Sequence, residues 1–235
     1  MLVHRIFAPL KRILPYPMAR SIRSIATALL TPVYFSTRSG HFGSSLRSKA
    51  IDKQGHAIPW YTCPAIELLR NRDFSGRTVL EFGSGQWTIW WSKHASYVVS
   101  FEENREWYER VSRQIPSNVS LIHDPDIKLA RFNGHISDQE FDVVIVDGFD
   151  RFAVVQRGLR VLKTDGIVIL DNCDGHWSSD GSASYPILDP LMSAGMMRVD
   201  LFGHSPGTII VSCSSIFWRS DNWFFSQTKP PIIDY

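Results

Sequence analysis

Acidic residues are absent from the first 51 positions of this 235-residue chain, whereas the same stretch holds eight lysines and arginines. The rest of the chain holds 17 basic and 23 acidic side chains, so the net charge of +2 hides a basic start and a mildly acidic remainder. A charge divided in this way indicates a basic N-terminal extension, which we assign to residues 1–58, before one main domain at residues 59–235.

Cysteines are few, and long apolar runs are missing. Cys63, Cys173 and Cys213 have no CxxC or Cys/His spacing, which predicts neither a disulfide framework nor a zinc cluster and favours a reducing compartment. The uncharged stretches 24–37 and 201–218 are too short or too interrupted by glycine and proline to span a membrane. Basic residues and prolines recur too often near the start for a secretory signal, so we expect a cytoplasmic protein.

The basic extension includes apolar residues at helical spacing, which predict a short helix over residues 18–30. Three interpretations of this segment stay open. It packs on the main domain, it contacts an anionic membrane surface without spanning the membrane, or it is a mitochondrial transit peptide.

Short apolar runs and amphipathic segments alternate after Pro59. The pattern predicts strands at residues 78–82, 97–101, 119–122, 141–146, 166–170, 198–202 and 208–218, and helices at 64–70, 86–93, 104–114, 126–132 and 152–162. Continuously apolar strands between helices are typical of a parallel sheet covered on both faces. The turn at 203–207 is too short for a crossover, so the last two strands must pair antiparallel. The predicted fold is α/β, a doubly wound, mostly parallel seven-stranded sheet ending in an antiparallel hairpin.

The most informative segment reads EFGSGQWT, from Glu81 to Thr88, at the end of the first strand. Gly83 and Gly85 let a ligand approach the backbone where a helix begins, and Glu102 ends the next strand, where a carboxylate accepts the hydroxyls of a ribose. Thr88 replaces the third glycine of a dinucleotide site, and Glu81 suits an amino group better than phosphates. S-adenosylmethionine carries both an amino group and a ribose, so the pattern favours this cofactor.

Residues 60–218 resemble the class I S-adenosylmethionine-dependent methyltransferases. VLEFGSGQWT is similar to their first motif, SFEEN to their ribose-binding acid, and FDVVIVDG with VLKTDGIVILDN to their fourth and fifth strand motifs. The runs PWYTCPAIELL, GSGQWTIWW and REWYERV resemble a bacterial branch found among genes for surface polysaccharides. The resemblance implies a methyltransferase whose cofactor-binding residues are Glu81, Gly83 and Gly85 at the methionine part, Glu102 at the ribose and Asp124 near the adenine. Thr88 is a further predicted cofactor-binding residue.

Other residues near these motifs allow two interpretations each. Tyr61 and Thr62 precede a helix, so they reach the carboxylate of the cofactor or Thr62 caps that helix. Trp87, Trp90 and Trp91 line the ligand, or at least two of them pack in the core.

Asp147, Asp171 and Asn172 are the candidate catalytic residues, because they follow the fourth and fifth strands. Their arrangement resembles the magnesium site of catechol-type O-methyltransferases, and two carboxylates with an amide oxygen suit a divalent cation such as magnesium. A metal-free base or a substrate-binding role is the alternative. His176 and Trp177, in the loop that follows, are further candidates for substrate contact.

The predicted function is methyl transfer from S-adenosylmethionine to an oxygen of a small molecule or a glycan, with no nucleic acid as partner. An NAD-dependent oxidoreductase is a second interpretation, which Thr88 and the closing hairpin disfavour. A non-catalytic protein that keeps the fold and binds membranes through its extension is the third.

Overall fold

The computed structural model describes residues 14–125, 138, 140–147, 151–173 and 185–227. The helices are α1 (Tyr16–Arg38), α2 (His41–Arg47), α3 (Cys63–Arg70), α4 (Gln86–His94), α5 (Arg105–Ser112), α6 (Arg151–Val161) and α7 (Tyr185–Ser193). The strands are β1 (Thr78–Phe82), β2 (Tyr97–Glu102), β3 (Val119–His123), β4 (Phe141–Val146), β5 (Leu162–Leu170), β6 (Met197–His204) and β7 (Val211–Trp218).

The seven strands form one sheet in the order β3-β2-β1-β4-β5-β7-β6. The first five run parallel, whereas β7 lies antiparallel between β5 and β6. This arrangement confirms the predicted fold class. Because the strand order reverses between β1 and β4, the carboxyl ends of these two strands flank the crevice where such sheets bind their ligands.

Several element boundaries differ from the sequence-based prediction. Helix α1 is 23 residues long, well beyond the predicted 18–30, and neither α2 nor α7 was predicted. Strand β5 begins at Leu162 rather than Gly166, because its pairing with β4 jumps between Phe141 and Val143 and residues 163–166 bulge from the ladder. The helix predicted at 126–132 lies outside the described residues.

Two hydrophobic layers cover the two faces of the sheet, and alternate residues of each strand supply them. In β1, Val79 faces the layer that contains Trp90 and Trp91 of α4, whereas Leu80 faces the layer of α6 and α7. Ala50 and Ile58 are buried in the first layer, so the later part of the basic extension packs against the main domain. The domain boundary at residue 58 stays a prediction.

Candidate active site

The backbone N–H groups of the glycine turn after β1 already have hydrogen-bond acceptors within the chain. The Gly83 N–H donates to the carbonyl of Phe101 at 2.9 Å, the Ser84 N–H to Oε2 of Glu102 at 2.9 Å and the Gly85 N–H to Oγ1 of Thr88 at 2.9 Å. A phosphate-binding turn needs these donors for its ligand. The turn is therefore unsuited to a pyrophosphate, which argues against the dinucleotide interpretation.

The two glycines are required by the local geometry. Gly83 has φ +92°, in the left-handed region that favours glycine, and a Cβ on Gly85 would lie 2.9 Å from the indole of Trp87. That indole donates from Nε1 to the Gly83 carbonyl at 2.9 Å. The aromatic ring thus packs directly against the turn, and a larger residue at position 85 would displace it.

Glu102 ties the end of β2 to the glycine turn. Its Oε2 accepts from both the N–H and the hydroxyl of Ser84, at 2.9 and 2.7 Å, and its Oε1 accepts from the Asn104 N–H at 2.9 Å. The side chain is nearly buried. These bonds fix the carboxylate in place, and each carboxylate oxygen can accept more than one hydrogen bond. The ribose contact of Glu102 stays a prediction.

Glu81 is fully buried below the glycine turn. Its Oε2 accepts from the hydroxyls of Thr88 at 2.5 Å and Ser100 at 2.6 Å, whereas its Oε1 has no hydrogen-bond partner in the part of the chain that the structure describes. Burial raises the pKa of Glu81 to about 8, although the hydrogen bonds from Ser100 and Thr88 oppose that shift. Thr88 is itself buried and acts on the site by orienting Glu81.

A cavity of about 350 Å³ opens beside the glycine turn at the carboxyl edge of the sheet. The structure brings all three candidate catalytic residues to this cavity together with aromatic, hydroxyl and aliphatic side chains. The lining residues are Trp60, Trp87, Asp147, Asp171, Asn172, Ser205, Thr208, Ile210 and Ser212. Residues far apart in the chain therefore meet where a ligand can contact both aromatic rings and carboxylates.

Asp147 and Asp171 form an electrostatically coupled pair. Burial raises the pKa of Asp171 to about 8, and the charge of Asp147 adds to this, although the Ser214 hydroxyl donates to Oδ1 at 2.5 Å. Burial also raises the pKa of Asp147, but only to about 6, because a guanidinium nitrogen of Arg151 lies 3.7 Å from its Oδ1. Burial and mutual repulsion thus raise the pKa of both carboxyls, and the pair titrates as a unit rather than as two independent groups.

Arg151 was missed by the sequence-based prediction. Its guanidinium donates to the carbonyls of Asp171 at 2.6 Å and Asn172 at 3.3 Å, so it holds the end of β5 as well as facing Asp147. Asn172 has φ +50°, a left-handed conformation that asparagine tolerates better than most residues. No sequence motif marks Arg151, because its partners are brought to it by the sheet.

Tyr61 and Thr62 are both fully buried. Thr62 is the N-cap residue of α3, but its side chain makes no capping hydrogen bond, because its hydroxyl donates to the carbonyl of Leu201 at 2.8 Å instead. Its N–H donates to the Ser214 hydroxyl at 2.9 Å, and this hydroxyl in turn contacts Asp171. Burial, together with the charges of Glu81 and the aspartate pair, raises the pKa of Tyr61 well above its usual value.

The tryptophans of α4 divide as predicted. Trp90 and Trp91 are buried in the first hydrophobic layer, whereas Trp87 lines the cavity. Asp124 is nearly buried after β3, and its N–H donates to the Glu102 carbonyl at 2.8 Å, which places it beside the predicted ribose acid. Its adenine contact stays a prediction. His176 and Trp177 lie outside the described residues.

Two of the cysteines meet although their spacing in sequence gives no sign of it. Cys173 follows β5 and Cys213 lies in β7, and their sulfur atoms and a carboxylate oxygen of Asp200 all lie within 4.8 Å of one another. The hydroxyl of Ser215 lies among these atoms and donates to Asp200 at 2.5 Å, and Arg198 pairs with the same carboxylate at 2.9 Å. All three cysteines are free thiols.

The buried carboxyls predict that stability falls as pH rises. Glu81 and Asp171 titrate near 8 when folded but near 4.5 and 3.8 when exposed, so between those limits the folded chain binds more protons than the unfolded chain. Each group then lowers the free energy of unfolding by about 1.4 kcal/mol per pH unit. We expect thermal denaturation without ligand to show a lower Tm at pH 8 than at pH 5.

The variant Glu81→Gln separates the contribution of Glu81 from the pH dependence of the rest of the chain. Glu81→Gln should flatten the slope between pH 5 and 8, because the amide does not titrate, whereas Glu106→Gln, an exposed change of the same kind on α5, should leave it unchanged. Parallel slopes for the two variants would contradict the raised pKa of Glu81.

Comparisons with known proteins support the fold. No family model and no curated protein sequence matches this chain. Among solved structures, cofactor-bound Rv0187 from MTB is 19% identical, with 82% of this chain and 97% of that chain covered and a TM-score of 0.58. Precorrin-6y C5,15-methyltransferase from Geobacter metallireducens is 15% identical, with 75% and 96% covered and a TM-score of 0.54. The chain therefore has the Rossmann-like fold of the S-adenosylmethionine-dependent methyltransferases.

Proposed function

We propose that this chain is an S-adenosylmethionine-dependent methyltransferase that acts on an oxygen of a small molecule or a glycan. The observation that carries the proposal is the buried Oε1 of Glu81, which has no partner among the described residues. A buried polar atom without a hydrogen-bond partner is costly, and the ionised form of Glu81 would gain a partner from the ammonium group of an amino-acid ligand. The N–H groups of Gly83, Ser84 and Gly85 in the neighbouring turn already have partners within the chain, which suits this cofactor better than a dinucleotide.

The residues present fit S-adenosylmethionine. Glu81 would hold its amino group, Gly83 and Gly85 leave room for the chain approaching the turn, and Glu102 would accept from the ribose. When bound, the cofactor supplies a methyl group as an electrophile. Transfer needs little covalent chemistry from the protein, so its side chains contribute by positioning the acceptor and removing its proton.

Asp147 is the base in this proposal. A guanidinium nitrogen of Arg151 lies 3.7 Å from its Oδ1 and favours its charged form, so in this proposal Asp147 is ionised and accepts the proton of an acceptor hydroxyl. Asp171 keeps its proton and can donate a hydrogen bond to the same acceptor. Arg151 compensates the charge of the pair and fixes the backbone of Asp171 and Asn172.

The lining of the cavity supports a polyhydroxylated acceptor. Trp60 and Trp87 offer flat apolar faces, and the hydroxyls of Ser205, Thr208 and Ser212 offer donors and acceptors. Flat rings beside polar groups suit a sugar or another ring that carries hydroxyls. This lining favours a glycan or a small hydroxylated molecule over an apolar acceptor.

A labelled-methyl assay tests the function. The chain is incubated with S-adenosylmethionine carrying a labelled methyl group and with fractionated cell extract, and the labelled fraction identifies the acceptor class. We propose the metal-free mechanism, because Arg151 already compensates Asp147; EDTA should then leave transfer unchanged. Loss of transfer in EDTA and its return with magnesium would instead support a divalent cation at Asp147, Asp171 and Asn172.

Replacing Glu102 tests the cofactor site separately. Glu102→Gln keeps the shape but loses charge-assisted hydrogen bonds worth roughly 1.5 to 3 kcal/mol each. Calorimetry should show S-adenosylmethionine or its demethylated product binding at least tenfold more weakly, whereas Glu106→Gln on the exposed side of α5 should bind as the parent chain does. Equal affinity of the two variants would contradict the ribose assignment.

A further inference from the structure

Helix α1 exposes a long apolar face. Its 23 residues extend about 34 Å. Large apolar residues recur every three or four positions, which places them on one side of the helix, and all are exposed: Met18, Ile22, Ile25, Leu29 and Val33. Ile25 and Leu29 are 61% and 68% exposed. Within the described ranges, Ala19 is the one buried residue of this helix.

The other side of α1 is basic. Arg20, Arg23 and Arg38 are exposed there, and no acidic residue precedes Asp52 in the sequence. The sequence before and after the helix adds Arg5, Lys11, Arg12, Arg47 and Lys49. An apolar face opposite arginines, with no carboxylate to neutralise them, is the pattern of helices that lie in the interface of an anionic membrane.

The C-terminal end of α1 is fixed to the main domain near the cavity. The ring of Phe35 lies 5.4 Å from that of His41 and 6.5 Å from that of His204, at the end of β6. His41 opens α2 and accepts at Nδ1 from the Gly207 N–H in the β6–β7 loop, at 3.2 Å. Helix α1 therefore contacts α2 and the end of β6, and α2 in turn contacts the β6–β7 loop.

Both α2 and the β6–β7 loop add exposed apolar side chains to this series. Phe42 and Leu46 of α2 are 62% and 73% exposed, and Ile209 of the loop is 90% exposed. The neighbouring Ile210 is exposed as well, and it also lines the cavity with the two aspartates. The candidate active site thus opens beside these apolar residues.

We propose that this surface docks on a lipid membrane with anionic headgroups. The docking surface consists of the apolar face of α1 (Met18, Ile22, Ile25, Leu29 and Val33), Phe42 and Leu46 of α2, and Ile209 and Ile210 of the loop. Its apolar side chains enter the boundary between headgroups and acyl chains, and the arginines of α1 contact the headgroups. No described helix is long and apolar enough to cross a membrane, so α1 lies in the plane of the membrane.

The positive charge of the first 51 residues distinguishes between two partners for the docking surface, a membrane and a second copy of the chain. Pairing two copies through α1 would bring together two segments that each carry eight positive and no negative charges, and these repel one another. An anionic membrane neutralises the same charges and gains about 1 kcal/mol per basic residue near its surface. The observations therefore favour the membrane.

Vesicle flotation tests the proposal with the full chain and no cofactor. The chain should float with vesicles of phosphatidylcholine and phosphatidylglycerol, less with phosphatidylcholine alone, and less in high salt, which screens the attraction. Arg20→Gln/Arg23→Gln should lower the partition coefficient on anionic vesicles about 30-fold. The matched pair Arg105→Gln/Arg110→Gln on α5 should have no effect.

The apolar face has its own variant and control. Ile25→Ser/Leu29→Ser should lower the partition coefficient at least tenfold, because two buried aliphatic side chains are lost from the interface. Met192→Ser/Met197→Ser, which removes exposed apolar side chains outside the docking surface, should float as the parent chain does. All these positions are exposed, so folding should be intact, and circular dichroism checks it.

Three outcomes would overturn the proposal. These are equal flotation with neutral and anionic vesicles, no effect of Ile25→Ser/Leu29→Ser, and a dimer in solution that this double variant dissociates, which would assign the face to a second copy. Flotation without cofactor does not depend on the proposed methyltransferase activity. Glu102→Gln should therefore float normally, so failure of docking and failure of the proposed function are distinguishable.

Discussion

Asp147→Asn is expected to lower kcat for methyl transfer by about 10²- to 10⁴-fold, the range that general base catalysis contributes. The amide keeps the size of the side chain but cannot accept the acceptor proton. Affinity for S-adenosylmethionine should stay within about twofold, because the proposed cofactor contacts come from Glu81, the glycine turn and Glu102 rather than from Asp147. Labelled-methyl transfer and calorimetry measure the two quantities.

The pH dependence gives this prediction a second readout. In the parent chain, kcat/KM should rise as pH increases through about 6, where Asp147 loses its proton. Asp147→Asn should abolish this rise in kcat/KM together with the activity. Asp189→Asn, an exposed change of equal charge on α7, should keep both the activity and its pH dependence. Normal turnover in Asp147→Asn would contradict its role as the base.

Glu81→Gln is expected to weaken S-adenosylmethionine binding by about 30-fold or more. Truncating one partner of a buried charge pair costs about 2 to 5 kcal/mol, and the amide offers the cofactor's ammonium no negative charge. The comparison variant is Glu109→Gln, which is exposed on α5 and should bind as the parent chain does. Calorimetry gives both dissociation constants.

Proton release on cofactor binding tests the contact between Glu81 and the cofactor's ammonium group independently of affinity. Because burial holds the pKa of Glu81 near 8, the free chain carries a proton there at pH 7, and an ammonium group placed against it should displace that proton. The binding enthalpy of the parent chain should therefore vary with the ionisation enthalpy of the buffer, corresponding to about one proton released. Weaker binding with unchanged proton release in Glu81→Gln would show that the proton comes from another group.

The sequence predicted the parts of this protein that local patterns encode. Continuously apolar runs such as FDVVIV matched β4 without error, because buried parallel strands exclude polar residues. The short turn predicted at residues 203–207 required an antiparallel hairpin, which the structure confirms, and the GSG turn with Glu102 indicated a cofactor site that stays a prediction. Each of these signals lies within one segment or in the register of two neighbouring strands.

Helix boundaries were less predictable where tertiary contacts set them. Helix α1 continues past Leu30 to Arg38 and includes Pro32, although a proline inside a helix removes one backbone hydrogen bond. Contacts of Phe35 with His41 and His204 fix its last turns, and these partners come from a different helix and from β6. A local pattern does not contain that information.

The sequence by itself determined the fold class, the glycine turn and the acids at the ends of β1, β2, β4 and β5, because strand order and strand ends follow from local periodicity. Only the tertiary structure decided how those acids behave. The Arg151 guanidinium beside Asp147, the Ser214 hydroxyl on Asp171 and the missing partner of Glu81 Oε1 arise from residues brought together by folding. Charge states depend on burial and on neighbours in space, so the choice of a proposed base between Asp147 and Asp171 required the packed sheet.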